Sequence, residues 1–254
     1  MKRPTDISDI LNEWEFDPDD QVRIVRAADG RQVLQVRQPL GIEQYELDGR
    51  PDGKRLFGKE SLLDVLGDRL ARHREAHGSD EEFVIDHKDF LLLQNEGIIY
   101  YYRYLVLFQI NDFERTARDT QHNLQLCELV EKYAVSDEDK KEILQYKPYM
   151  LRMFAVAKAM VCLRQKMPEA AREILESAIE EIAAIPEVDT PSFQFERIRS
   201  LNYLRSTLKE LFSGTESSLE KLNKELKRAV EEENYERAAE LRDKIKSIKQ
   251  EPKT

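Results

Sequence analysis

The chain has 254 residues, 35% of them charged, with a formal net charge of -10 and a pI near 5.2. That length holds one sizeable core or two small ones. The acidic balance argues against non-specific nucleic-acid binding, which needs Lys and Arg gathered on one face to neutralise phosphates. From Glu216 onward ten basic residues match ten acidic ones, so the whole deficit lies in the body before it.

Met1 to Asp6 carry basic residues with no apolar run behind them, and no secretory signal is expected there. Nowhere do the ~18 apolar residues of a membrane span follow one another. Cys127 and Cys162 lack C-x-x-C spacing and read as small core side chains. A soluble, cytoplasmic protein is the expectation.

From Val22 to about Gly53 the apolar period is two. A hairpin turning at Asp29-Gly30, then a third strand over Gly41 to Leu47, predicts a three-stranded antiparallel sheet. Asp48-Gly49-Arg50-Pro51-Asp52-Gly53 ends it with a dense run of turn formers. A sheet this small needs a cover, and the amphipathic stretch Ser61 to His77 is the candidate.

Everything from Asp86 to about Phe212 reads helical. Asp86 or Asp89, then Asp112, can cap two long helices, and Ser136 with Asp139 three residues on resembles a capping box. Pro148 and Pro168 suit the first turns of two more, and Pro186 and Pro191 bracket a linker before Phe193 to Phe212. Tyr104 to Asn123 can be laid on Ala159 to Ala178, with small residues Thr116 and Ala171 after the turns. This suggests a TPR-like array, although the spacing of about 55 residues exceeds the usual ~34. Such arrays present a concave surface to a peptide or protein.

Glu216 to the end reads as a helical hairpin. Leu219, Leu222, Leu226 and Val230 form one apolar series, and Ala238, Leu241, Ile245 and Ile248 a second, each on one helix face. Glu231-Glu232-Glu233-Asn234-Tyr235 lies between them, and Asn234 can take the left-handed conformation that closes such a turn. So short a unit must close its stripe against the rest of the chain, a second copy or another protein.

Leu222 to Ile245, and above all Glu231, Asn234, Tyr235, Glu236, Arg237, Ala238, Ala239, Glu240, Leu241, Arg242, Asp243 and Ile245, resembles the UVR motif of the UvrB and UvrC excision-repair proteins. McsA activators of a protein-arginine kinase and ClpC-type unfoldases share it. The resemblance implies a protein-docking element rather than a catalytic one. Leu40 to Gly53 also resembles a segment of bacterial proteins that end in the same motif.

The reading is an α+β chain, mostly α. A β-rich module with its covering helix spans 1–80, a TPR-like domain 81–213, and the hairpin 216–250. Leu222, Leu226, Val230, Tyr235, Arg237, Ala238, Leu241, Arg242 and Ile245 are the candidate partner-binding residues, with the partner a protein or a second copy. Tyr101, Arg103 and Tyr104, within the aromatic run Tyr100 to Tyr104, are a candidate groove. No cofactor is expected, and no nucleic acid or membrane is expected as partner. His73 and His77 share a helical face, but Arg74 stands where a zincin helix has Glu. Asp48 to Gly53 differs from a calcium loop at Arg50 and Lys59. No phosphate loop, dinucleotide fingerprint or nucleophile elbow occurs. The leading expectation is therefore a non-enzymatic adaptor. The alternatives are an accessory of excision repair recruited through UvrB or UvrC, and a metal-dependent enzyme using Glu43, Glu46, Asp48, Arg50 and Asp52.

Overall fold

The computed structural model describes residues 6–212, 222, 225, 226, 228–230 and 234–250, excluding the side chains of 236 and 246–250. The chain is α+β and mostly α. A short helix α1 (Ser8–Glu13) precedes a sheet of β1 (Val22–Arg26), β2 (Gln32–Gln38) and β3 (Gly41–Glu46), ordered β1-β2-β3 with both pairs antiparallel. The helices α2 (Leu62–His77), α3 (His87–Gln109), α4 (Phe113–Tyr133), α5 (Asp137–Leu144), α6 (Lys147–Arg164), α7 (Pro168–Ala184) and α8 (Pro191–Phe212) follow, and α9 (Tyr235–Gln250) lies at the C-terminal end. No described helix is long and apolar enough to cross a membrane.

Local chemistry sets the helix starts. The side chains of Ser61, Asp86, Asp112 and Ser136 each accept a backbone N–H three residues on, at 3.0, 2.8, 3.1 and 3.2 Å. Pro168 and Pro191 stand first in their helices, where a missing N–H costs nothing. Gly78 ends α2 at φ 75°, and its N–H bonds Arg74 O at 2.8 Å.

The α3–α4 and α6–α7 turns are built alike. Asn111 and Lys166 both stand at φ 61°. Their N–H groups reach back three residues to Phe108 O and Leu163 O, at 3.0 and 3.0 Å. The next residues, Asp112 and Met167, reach back five to Leu107 O and Cys162 O, at 2.9 and 2.9 Å. This is the Schellman closure, achieved without glycine. The burial pattern repeats with it. Tyr100 and Ala155, Tyr104 and Ala159, Thr116 and Ala171, and Asn123 and Ala178 are all buried, in matching places on the two pairs. The extra length between the pairs is α5, inserted after α4.

The sheet's cover differs from expectation. Leu34 and Leu47 pack against Leu107, with Val106 and Ile110 beside it, so the C-terminal end of α3 closes this face. The α2 residues Leu62 and Leu66 instead join Phe90, Leu93, Leu126, Cys127 and Val130 in the main core. Residue 80 is therefore no break in packing, because both the sheet and α2 share cores with the helices that follow. A second large core, including Leu151, Ala155, Ala159, Leu175, Ile182 and Leu204, binds α6, α7 and α8.

Glu96 explains why α2 sits where it does. It is fully buried on α3, and its Oε2 accepts the N–H of Leu62 at 2.7 Å while Oε1 accepts that of Leu63 at 3.1 Å. A carboxylate at the α2 N-terminus meets the positive end of the helix dipole and two open N–H groups. Arg50 pairs with the same carboxylate, and His122 Nε2 lies 3.2 Å from Oε1. Burial would raise the Glu96 pKa, but His122 and the two backbone donors outweigh it and hold the carboxyl below its usual 4.5. A lowered carboxylate pKa contributes stability above the unfolded value, and that contribution is lost as the pH falls through the folded one. Glu96→Gln should cost about 1.5–3 kcal/mol at neutral pH. In urea titrations the gap to wild type should narrow as the pH drops below 4.5. A gap that stays constant down to acid pH would show that ionisation of Glu96 is not the source.

Candidate protein-docking site

Leu222, Leu226 and Ala229 meet Ala238 and Leu241 in one apolar cluster. Ala229, Ala238, Leu241 and Ile245 are buried. The two arms of the hairpin thus close on each other. Leu219, the Glu231–Glu233 turn and the Ile248 side chain lie outside the described residues.

The seam register differs from expectation at one place. Val230 is 50% exposed, whereas Ala229 is 5% exposed and faces the second arm. Steps of three and four from Leu226 fall on either side of the same face, so spacing admits both residues. Ala229 and Ala238 meet in the seam, and two alanines let the backbones approach. Valine there would hold them apart.

Asn234 is the hinge of the turn. Its N–H bonds Ala229 O at 2.8 Å, and its Oδ1 accepts the N–H of Arg237 at 3.1 Å, which caps α9. Arg237 reaches Glu225 on the first arm at 3.8 Å and Glu240 at 2.8 Å, so its charge is partly engaged within the hairpin. Tyr235, the first residue of α9, is 68% exposed, and Arg242 is also exposed.

The candidate groove in α3 does not form as expected. Arg103 and Tyr104 are 0% and 1% exposed, while Tyr101 and Tyr102 are 37% and 51% exposed. Arg103 faces inward because each of its three guanidinium nitrogens has a partner there. It grips Asp119 through two bonds, at 2.6 and 2.8 Å, and donates to Glu46 O and Gly49 O at 2.7 and 2.9 Å. Arg118 adds bonds to Asp119, Asp48 and Leu47 O, at 2.9, 2.8 and 2.6 Å. The turn after β3 is thereby fastened to α3 and α4, with Gly49 at φ 64° supplying its left-handed bend.

The acidic residues of β3 and of that turn have close partners of their own. Asp52 pairs with Arg50 at 2.8 Å and with Lys54 at 3.6 Å, Glu46 pairs with Arg31, and Glu43 accepts the hydroxyl of Tyr45 at 2.6 Å. Among the described residues no group of three or more His, Cys, Asp and Glu side chains is placed to hold a metal ion. The rings of His73 and His77 lie 4.4 Å apart, tilted by 41°, with His73 Nε2 2.7 Å from Glu81 O. Two histidines carry structure that their isolated positions did not suggest. His122 lies flat on Tyr100 at 3.7 Å, and His87 meets Asp139 at 2.9 Å. Cys127 is buried, which pushes its thiol up to about 12 and leaves it unreactive.

Residues 216–251 match the family model of the UvrB/uvrC motif, so the chain carries a UVR motif at the hairpin. No curated protein and no solved structure matches the chain.

Two substitutions separate the anchor from the hairpin. Arg103→Met leaves the buried Asp119 with Arg118 as its one cationic partner and strips the Glu46 and Gly49 carbonyls of their donor, and should destabilise the body by about 3 kcal/mol in chemical denaturation. Asn234→Ala removes one cap and should cost the hairpin about 1 kcal/mol, read as lost helicity by circular dichroism, with the main unfolding transition unmoved.

Proposed function

We propose that the protein is a non-enzymatic adaptor whose C-terminal hairpin binds a protein partner. The observation that carries this reading is the UVR match over residues 216–251, in a hairpin whose seam is closed between its own arms. Closure shifts the docking surface. Leu222, Leu226, Ala238, Leu241 and Ile245 hold the hairpin together, and the face left for a partner is Val230, Tyr235, Arg237 and Arg242. An exposed tyrosine and two arginines match the composition of interface hot spots, and the exposed valine adds apolar surface. The helical pairs α3–α4 and α6–α7 serve, in this reading, as a TPR-like scaffold that holds the hairpin and a second surface in one chain.

A second reading, recruitment to excision repair, rests on the motif itself. The partner is then UvrB or UvrC, and contact with DNA is left to them, in keeping with a net charge of -10.

Two variants test the surface apart from the seam. Val230→Asp with Tyr235→Ala should weaken partner capture about tenfold or more while leaving helicity unchanged. Leu241→Asp should abolish both capture and hairpin helicity. Purified UvrB and UvrC, titrated against the full chain, decide the second reading. If the surface double variant keeps wild-type partners and a wild-type oligomeric state by light scattering, the hairpin is not the docking element.

A further inference from the structure

Helix α3 is apolar on the side turned away from the protein as well as on the side packed into it. Between Phe90 and Gln109 its charged residues are Glu96 and Arg103, and both are fully buried. The outer face therefore carries no charge, in a chain of which 35% is charged. Leu91, Ile98 and Tyr102 on that face are 42%, 44% and 51% exposed. Leu105, partly buried, joins none of the apolar cores of the described residues. Steps of seven, four and three hold these residues in one stripe, with Gln109 at its end. Asn95 lies on it too, but turns its Nδ2 back to Leu91 O at 2.8 Å.

A helix that is apolar all round is normally buried all round. Single exposed apolar side chains are ordinary, whereas a contiguous stripe of them marks a contact surface. This stripe offers nothing for a partner chosen by charge, but its pattern is self-complementary. Leu91, Ile98 and Leu105 stand seven apart, the spacing of a two-helix seam. With two such helices antiparallel, a two-fold axis at Ile98 sets Ile98 against itself and Leu91 against Leu105 of the second copy. The helix ends favour the same direction. Lys88 is exposed and has no hydrogen bond or ion pair among the described residues, and the last turn of α3 holds no cation of its own. Antiparallel pairing brings Lys88 to the negative end of the other helix, while parallel pairing would set Lys88 beside Lys88.

We infer that the outer face of α3 pairs with the same face of a second copy of this chain, antiparallel and centred on Ile98. Leu91, Ile98 and Leu105 form the seam, and Tyr102 flanks it. Two chains of net charge -10 can meet there because the stripe sets no like charges against each other. From Leu91 to Gln109 it is about 27 Å long. A helix pair of that length buries less than the ~800 Å² per partner of a standard interface, so the association is reversible. The contact lies in the helical body and does not depend on the reading of the hairpin. Its consequence is a pair of hairpins in one particle, which holds a partner with two sites more tightly than either hairpin alone.

The test is the oligomeric state of the full chain by sedimentation equilibrium, from about 1 to 200 μM, the range of a small reversible interface. A monomer–dimer equilibrium should be seen. Ile98→Glu sets two carboxylates face to face and should raise the dissociation constant about tenfold or more, with wild-type helicity and thermal midpoint because the side chain is exposed. Leu91→Glu repeats the test at a second exposed position. Lys88→Glu should raise the constant about three- to tenfold, since it places an anion at each helix C-terminus. Val230→Asp with Tyr235→Ala should leave the dimer intact, which separates this contact from docking by the hairpin. A monomer at every concentration leaves the stripe to some other protein. A dimer that survives Ile98→Glu and Leu91→Glu, is unmoved by Lys88→Glu, or is lost with the hairpin change is built otherwise. Any of these results would overturn the inference.

Discussion

The buried pairing of Arg103 with Asp119 is the constraint on which the N-terminal half depends. One guanidinium links α3 to α4 through the carboxylate and links both to the sheet through the carbonyls of Glu46 and Gly49. A buried ion pair is tolerated only when its remaining donors and acceptors are met, and here the turn after β3 meets them. The turn and the helical pair therefore require each other. Glu96 repeats the arrangement one helical turn away from Tyr100, tying the α2 N-terminus and Arg50 to α3. With an apolar patch of only a few residues beneath it, the sheet is positioned as much by these polar anchors as by burial.

The helical region is built on a different principle. Two helix pairs share a turn closure and a pattern of buried positions, small in both at Thr116 and Ala171, and the second pair's core is mostly Ala and Leu. Small side chains at corresponding places let helices approach closely and make packing insensitive to detail elsewhere in the sequence. The inserted α5 is accommodated because it extends the end of α4, where Ile85 and Ala134 form a short parallel bridge.

Much of this was legible from local chemistry. Ser61, Asp86, Asp112 and Ser136 cap helices because their reach is to a backbone three residues away, a distance the sequence displays. The three strands followed from their period. What stayed hidden was long-range. Arg103 looked like an accessible residue in a tyrosine-rich groove, since charged side chains are seldom buried unless paired, and its partners lie at Asp119 and in a turn more than fifty positions upstream. The cover of the sheet was misplaced for the same reason: α2 is amphipathic, but its apolar face is claimed by the core with Leu93 and Leu126. In the hairpin the motif was readable and its face was not, because Ala229 and Val230 satisfy the same spacing and only packing against Ala238 and Leu241 chooses between them.

The anchor of the N-terminal sheet also bears on synthesis. The strands leave the ribosome before the helices that anchor them: Glu96, Arg103 and Asp119, which hold their last turn in place, emerge dozens of residues later. Closing so long a loop precedes any stabilisation from the contacts it permits. Until α4 has been made, the nascent sheet has an exposed apolar face and unpaired edges, the surfaces on which chains stick to one another. During synthesis the sheet thus passes through an interval in which its apolar face and edges are uncovered.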